Sequence, residues 1–202
     1  MKKKILNNCI KNINTNKPEL NEEQIEIIEY GLESIYLTIT KIVVIVLLSI
    51  VLNIFKETIL MILFYNIIRL FAFGMHTKNS TACLFTSISL FIFGAFLAIY
   101  LKISIITKII LSVISLILII IYAPADTEKR PLINEKKRKK FKILSIITST
   151  IMTLLIIFLK DNYITNFMFV GFIEATIMIL PITYKLYGVS YNNYKNYNAQ
   201  YN

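Results

Sequence analysis

The run Leu111-Ser112-Val113-Ile114-Ser115-Leu116-Ile117-Leu118-Ile119-Ile120-Ile121-Tyr122-Ala123 decides what kind of protein this is. It is the heart of an apolar stretch that begins at Ile103 and carries a single charge, Lys108. A helix needs about 20 mostly apolar residues to cross a hydrocarbon core roughly 30 Å thick, and this stretch supplies them. Five more segments read the same way: Ser34 to Phe55 with Lys41, Thr58 to Met75 with Arg69, Thr81 to Leu101 without charge, Ile143 to Leu159, and Tyr163 to Ile182 with Glu174. Open strands leave backbone groups unpaired in lipid, so every span is expected to be a helix. The expectation is an all-α, polytopic integral membrane protein with about six transmembrane helices. Counts of four or five stay compatible, because the second and sixth segments hold charges.

Composition agrees. The 202 residues are 56% hydrophobic and only 17% charged, and the mean hydropathy is +0.64. A soluble domain sits near 45–50% apolar and about 25% charged. The net charge of +10 is gathered in short segments between apolar runs. Anionic lipid head groups account for that pattern better than nucleic acid does. Two cysteines, Cys9 and Cys83, make no disulfide framework.

Ahead of the spans lie two amphipathic stretches separated by Pro18. Leu6, Cys9, Ile10 and Ile13 recur at helical spacing, as do Ile25, Ile28 and Leu32. They read as interfacial helices, or as helices packed on the spans. The start is too polar for a cleavable signal peptide, so the N-terminus is expected to stay. Basic residues favour the cytoplasmic side of a membrane. Lys2, Lys3, Lys4, Lys11 and Lys17, the loop Pro124 to Lys142 and the tail with Lys185 and Lys195 therefore fall inside. Both termini are expected in the cytoplasm of a multi-pass cell-membrane protein. The organisation expected is an interfacial segment over 1–33, a multi-span domain over 34–183 and a Tyr/Asn-rich cytoplasmic tail over 184–202. Tyr184, Tyr187, Tyr191 and Tyr194 suit an interfacial helix, but the asparagines favour a frayed tail.

His76 is the only histidine, and Cys83 follows it across the polar connector Thr77-Lys78-Asn79-Ser80-Thr81-Ala82. A thiol attacks as its thiolate, and an imidazole can take the proton. Asn79, Ser80 or Thr81 is a candidate N-cap for the third span. Cys83 would then sit in the first turn, where the helix dipole favours a negative sulfur. On one continuous helix the two would be about 10 Å apart along the axis, so the connector must fold back. The bland alternative is a polar interfacial His and a small apolar filler Cys. Arg69 and Glu174 are costly inside spans and call for a partner or a role. Arg69 and His76 lie seven apart on the second span and are expected to share a face, and Glu174 could pair with Arg69 or Lys41.

Arg69-Leu70-Phe71-Ala72-Phe73-Gly74-Met75-His76 with Cys83 resembles the catalytic motif of the accessory gene regulator B (AgrB) family. Tyr122-Ala123-Pro124-Ala125 with Lys129-Arg130-Pro131 resembles the family's second signature, and Glu174-Ala175 and Leu180-Pro181 are similar to its last span. The resemblance runs from about Leu20 to Pro181. It implies a membrane cysteine endopeptidase that processes an AgrD-like propeptide into a cyclic quorum-sensing autoinducer, with no cofactor or metal. His76 and Cys83 would be catalytic, Arg69, Gly74 and Glu174 supporting, and Lys129 and Arg130 candidates for binding the substrate. The bilayer is the other expected partner, a second copy of the chain is a candidate one, and nucleic acid is not expected. Many members carry two glycines where Phe73-Gly74 stands here, which puts substrate choice in question. The rival reading is a small peptide transporter without chemistry, to which Lys41, Arg69 and Glu174 would be path residues.

Overall fold

The computed structural model describes residues 9–10, 12–13, 15, 21–77, 79–127, 131–159 and 161–195. Among these the regular structure is helical: α1 (Glu22–Val51), α2 (Phe55–Ala72), α3 (Ser80–Ile88), α4 (Gly94–Tyr100), α5 (Ile105–Tyr122), α6 (Glu135–Phe158), α7 (Tyr163–Ile177) and α8 (Pro181–Leu186). A π-helical turn, Ser89–Phe93, joins α3 to α4. The chain divides into two compact units, residues 1–47 and 48–202.

The first unit corrects one expectation. Asn21 and Gln24 form a reciprocal cap, the Gln24 amide donating to Asn21 Oδ1 at 2.8 Å and the Asn21 amide to Gln24 Oε1 at 3.1 Å. From there one helix runs unbroken to Val51, so residues 21–35 are continuous with the helix of the first span and are not a separate helix. No proline stands in the way, and a Cβ at Gly31 would meet nothing. The expected amphipathic helix at residues 3–13 lies mostly outside the described residues; those described there are helical.

Among the described residues, four helices are long and apolar enough to cross a membrane: Gly31–Val51, Ser80–Tyr100, Ile105–Tyr122 and Glu135–Phe158. α2 carries Lys56, Glu57 and Arg69, and α7 has 15 residues, so these two are set apart from the expected six by charge and by length.

The second unit is built inside out relative to a soluble bundle. Small polar residues lie between the helices: Thr58 on α2, Ser112 and Ser115 on α5, Ser145, Ser149 and Thr153 on α6, Thr165 and Thr176 on α7 are all buried. Isoleucines such as Ile117, Ile120, Ile121, Ile147 and Ile151 point outward and are exposed. Lipid tails are as apolar as these side chains, so the outer face is stable in a bilayer while small residues let helices approach. Three of these hydroxyls are satisfied from their own preceding turn, Ser145 donating to the Phe141 carbonyl, Thr153 to that of Ser149 and Thr176 to that of Phe172, while those of Thr58, Ser112 and Ser149 have no hydrogen-bond partner. α7 is apolar all round because α2, α4, α5 and α6 pack on it from different sides. Gly171 lets the α2 backbone come close: a Cβ there would stand 3.0 Å from the Tyr65 amide nitrogen.

Two sets of contacts orient the helices. At one end Tyr163, opening α7, donates to Glu57, opening α2, at 2.5 Å, and Lys108 near the start of α5 pairs with Asp161 just before α7. The starts of α2, α5 and α7 are thus together. At the other end their C-termini converge, and α6 begins there, its Lys142 ammonium capping the Ile120 and Ile121 carbonyls of α5.

Candidate functional site at the convergence of three helix ends

α2 stops at Ala72. Phe73 turns into the left-handed half of backbone space (φ 56°, ψ −132°) and Gly74 follows at φ 123°. Arg69 and His76 therefore do not share a helix face, contrary to the sequence expectation; the helix ends between them. The chain that leaves α2 is held by backbone bonds. Gly74 N–H donates to the Ala125 carbonyl at 2.9 Å and Ala125 N–H to the Ala72 carbonyl at 2.9 Å, a short parallel bridge between Phe73 and Ala125. Met75 N–H donates to the Met178 carbonyl beyond α7 at 3.0 Å. The Met75 carbonyl accepts from Arg69 Nη2 at 3.0 Å. The residue before His76 is thus fixed from two other segments. His76 itself is exposed and Met75 buried.

Gly74 is required by more than its dihedral angles. A Cβ there would lie 1.8 Å from Arg69 Nη1 and 2.8 Å from the Met178 carbonyl oxygen. The guanidinium occupies that space, and its Cζ lies 5.6 Å from the centre of the Tyr65 ring, a cation–π contact. At position 73, where the family resemblance expects glycine, the Phe ring meets Phe141 of α6 edge to face at 4.8 Å.

The connector rejoins a helix at Asn79, one of the three residues named as candidate N-caps. Its side chain accepts from the Thr81 amide at 3.0 Å, and the Thr77 hydroxyl donates to its carbonyl at 3.0 Å. Cys83 N–H donates to the Asn79 carbonyl at 2.9 Å and closes the first turn of α3. The thiol is half-buried and outside any disulfide. No residue of α3 is buried, whereas the π-turn and α4 beyond it pack into the bundle.

Arg69 and Glu174 make no ion pair among the described residues. Arg69 Nη1 and Glu174 Oε2 are both buried and without a hydrogen-bond partner. The Glu174 carboxylate lies over Gly94, where a Cβ would stand 2.6 Å from Oε1. The buried Tyr65 hydroxyl is within electrostatic reach of Arg69, Glu174, Cys83 and Tyr187. Lys129 and Arg130 lie outside the described residues.

The sequence reading missed Asp126 and Tyr184. Asp126 is 3% exposed; Oδ1 accepts from the Asn193 amide at 2.9 Å, and Oδ2 from Tyr194 at 2.8 Å and Leu132 at 3.2 Å. The Tyr184 hydroxyl, whose pKa burial pushes up, stays a donor to the Ala125 and Asp126 carbonyls at 3.1 and 2.9 Å. The expected frayed tail is therefore ordered through Lys195. The available signal was an acid directly after Pro124-Ala125 in a basic loop.

The residues that meet here come from three distant stretches: Arg69 to His76, Tyr122 to Ala125, and Glu174 to Met178. A family model described as Accessory gene regulator B matches residues 3–179. A putative AgrB-like protein of Clostridium acetobutylicum is 34% identical over 177 residues, covering 87% of this chain and 85% of that protein. A putative AgrB-like protein of Listeria innocua is 31% identical over 172 residues, covering 84% and 83%. The accessory gene regulator protein B of Staphylococcus aureus is 34% identical over 157 residues, covering 78% and 83%. No solved structure matches. The match takes in all three converging stretches, and this chain belongs to the accessory gene regulator B family.

Proposed function

We propose that this chain is a membrane-embedded cysteine endopeptidase that cleaves an AgrD-like propeptide and cyclises it into a quorum-sensing autoinducer. Family membership ties the chain to the accessory gene regulator system of quorum sensing. The chemistry is inferred from the residues. The observation that carries it is Cys83 at the first turn of a helix capped by Asn79, with the chain's only histidine exposed on the connector seven residues earlier.

Cys83 Sγ attacks a backbone carbonyl on the C-terminal side of the propeptide, and His76 takes the thiol proton. The peptide C–N bond breaks, His76 returns the proton to the leaving amine, and a thioester to Cys83 remains. A thiol or hydroxyl within the peptide attacks that thioester, and its proton passes through His76 to the departing Cys83 sulfur. The ring is a thiolactone or lactone. Exchange of one thioester for another is nearly neutral in energy, so water must be kept from the intermediate, which burial at a membrane surface favours.

Six spans with both termini in the cytoplasm put the connector on the inner face, where a cytoplasmic propeptide arrives. Lys129 and Arg130 belong to this proposal as contacts for the peptide, Arg69, Gly74 and Glu174 as supports of the site, and residues 34–183 as the catalytic domain between an interfacial N-terminal segment and a cytoplasmic tail. Cys83→Ala and His76→Ala, each inserted in membranes at normal levels, are expected to abolish cleavage of the cognate propeptide, read by immunoblot of the tagged precursor. Cys9→Ala is expected to cleave normally. Normal cleavage in Cys83→Ala or His76→Ala would end the proposal.

A further inference from the structure

The chain past α7 forms a strap that touches both halves of the site. Pro181 opens α8 at its first turn. The helix closes on Gly188 at φ 61°, with Val189 N–H donating back to the Tyr184 carbonyl at 3.0 Å and Gly188 N–H to Lys185 at 3.2 Å. The chain then turns through Ser190 and Asn192 and delivers the amides of Asn193 and Tyr194 to the Asp126 carboxylate. Among the described residues, Asp126 accepts only backbone amides.

On one side the strap holds the segment leading to His76: Tyr184 donates to the carbonyl of Ala125, the residue that bridges to Phe73 and Gly74. On the other side it reaches the helix that bears Cys83. The Tyr187 hydroxyl lies 3.3 Å from Thr86 Oγ1, one turn beyond Cys83. The Thr86 hydroxyl donates to the Tyr187 hydroxyl oxygen and also to the Ala82 carbonyl, at 2.8 Å. α3 buries no residue of its own, so an outside tether matters there more than in a packed helix. The family match ends at residue 179, just before the strap.

We propose that the strap Pro181–Lys195 sets the Cys83 helix against the His76 connector, with Asp126 as its clasp and Tyr187 as a positioning residue for Cys83. This rests on the peptidase reading. A displacement of about 1 Å between reacting groups can cost about a hundredfold in rate, so a tether of modest energy has a large kinetic reading.

The test uses the full chain in native membranes with Cys9→Ser, which leaves Cys83 as the sole thiol. Iodoacetamide alkylation is followed against pH, and cleavage is followed against propeptide concentration. Tyr187→Phe and Thr86→Val are each expected to slow alkylation at pH 7 by about 3- to 10-fold, the range of one lost hydrogen bond. The alkylation midpoint should move to higher pH in both. The double variant should be no slower than either single one, and kcat should fall with KM within about twofold. Asp126→Asn, which sets an amide donor against a backbone donor, should exceed both effects. If Asp126→Asn fails to accumulate, the Tyr187/Thr86 pair decides alone. An unchanged pH profile in both single variants, or additive slowing in the double, overturns the strap. Cleavage that survives Cys83→Ala ends the peptidase reading whatever the strap does, and a thiol indifferent to the strap in a chain that still requires Cys83 ends the strap alone.

Discussion

The two ends of the second unit are held by opposite means. At the end where α2, α5 and α7 begin, side chains do the work: Lys108, 2% exposed, pairs with Asp161 and the Asn166 amide oxygen, and Tyr163 donates to Glu57. At the end where those helices finish, backbone bonds among Phe73, Gly74, Met75, Ala125 and Met178 do it. The consequence lies in what is left over. The first end gives its buried lysine a carboxylate partner, whereas the second keeps Arg69 Nη1 and Glu174 Oε2 buried without a hydrogen-bond partner. Buried polar groups are ordinarily satisfied, and an ionisable pair of side chains left so costs more than the unpartnered hydroxyls of Thr58, Ser112 and Ser149 elsewhere in the unit. One end reads as a fastener and the other as a site.

Gly74→Ala strikes that distinction hardest. The Arg69 guanidinium could swing away from the new methyl, but the Met178 carbonyl oxygen, 2.8 Å from it, is backbone, and φ of 123° strains any L side chain. Strain and overpacking together are expected to cost about 2–5 kcal/mol. The Met75 carbonyl would lose its arginine donor and the connector to His76 its anchor. Propeptide cleavage should fall at least about a hundredfold even in protein that reaches the membrane, as read by precursor turnover per inserted molecule. Cleavage within threefold of the parent would mean the backbone anchor is not what sets the site.

Lys108→Met probes the fastener. Removing one member of a buried pair costs about 3–5 kcal/mol, but Asp161 is 55% exposed and can be rehydrated, so about 1–3 kcal/mol is expected. Thermal unfolding in detergent should fall, while cleavage at a permissive temperature should stay within about twofold. A selective loss of cleavage would erase the distinction between the ends.

The sequence made the spans legible because runs of Ile and Leu have one economical fate in lipid. It made the Asn79 cap and the position of Cys83 in the first turn legible because capping is local chemistry. It could not show that α2 ends before His76, since the cause lies in Ala125 and Met178, far along the chain. It suggested pairing Glu174 with Arg69 by scarcity of charges, and the fold instead lays each over a glycine. Lys108 read only as the single charge in an apolar stretch, because its partner stands 53 residues away. The tail read as frayed from its asparagines, and a single buried carboxylate reverses that. Local rules carried the elements, and long-range backbone pairing assembled the site.

Phe73 gives a finer probe of the site end. It occupies a glycine-favouring conformation, at a strain of about 1–3 kcal/mol, partly offset by its edge-to-face contact with Phe141, worth about 0.5–1.5 kcal/mol beyond burial. Phe73→Gly is therefore expected to change stability by no more than about 1 kcal/mol. Phe73→Ala keeps the strain and loses the ring, and should be about 1–2 kcal/mol worse than the glycine variant by thermal unfolding. Alanine equal to or better than glycine would show that the backbone there carries no strain.

The smallest expected effect is at the fastener, and pH gives it a sign. The Tyr163 hydroxyl beside Glu57 is the main cause holding that carboxyl below the usual range, with the Lys56 ammonium a minor one. A carboxyl depressed in the folded state adds stability that is present above its unfolded pKa, about 4.3, and lost as pH falls through the folded value. The pair is near the surface, so screening keeps it to about 0.5 kcal/mol. Tyr163→Phe should therefore lower the unfolding temperature slightly at pH 7, and the gap from the parent should close below about pH 4, where Glu57 is neutral in both. A gap that holds constant from pH 7 down to pH 3 would assign the effect to packing of the ring edge on Phe167 and not to the carboxylate, and the starts of α2 and α7 would then be joined by shape alone.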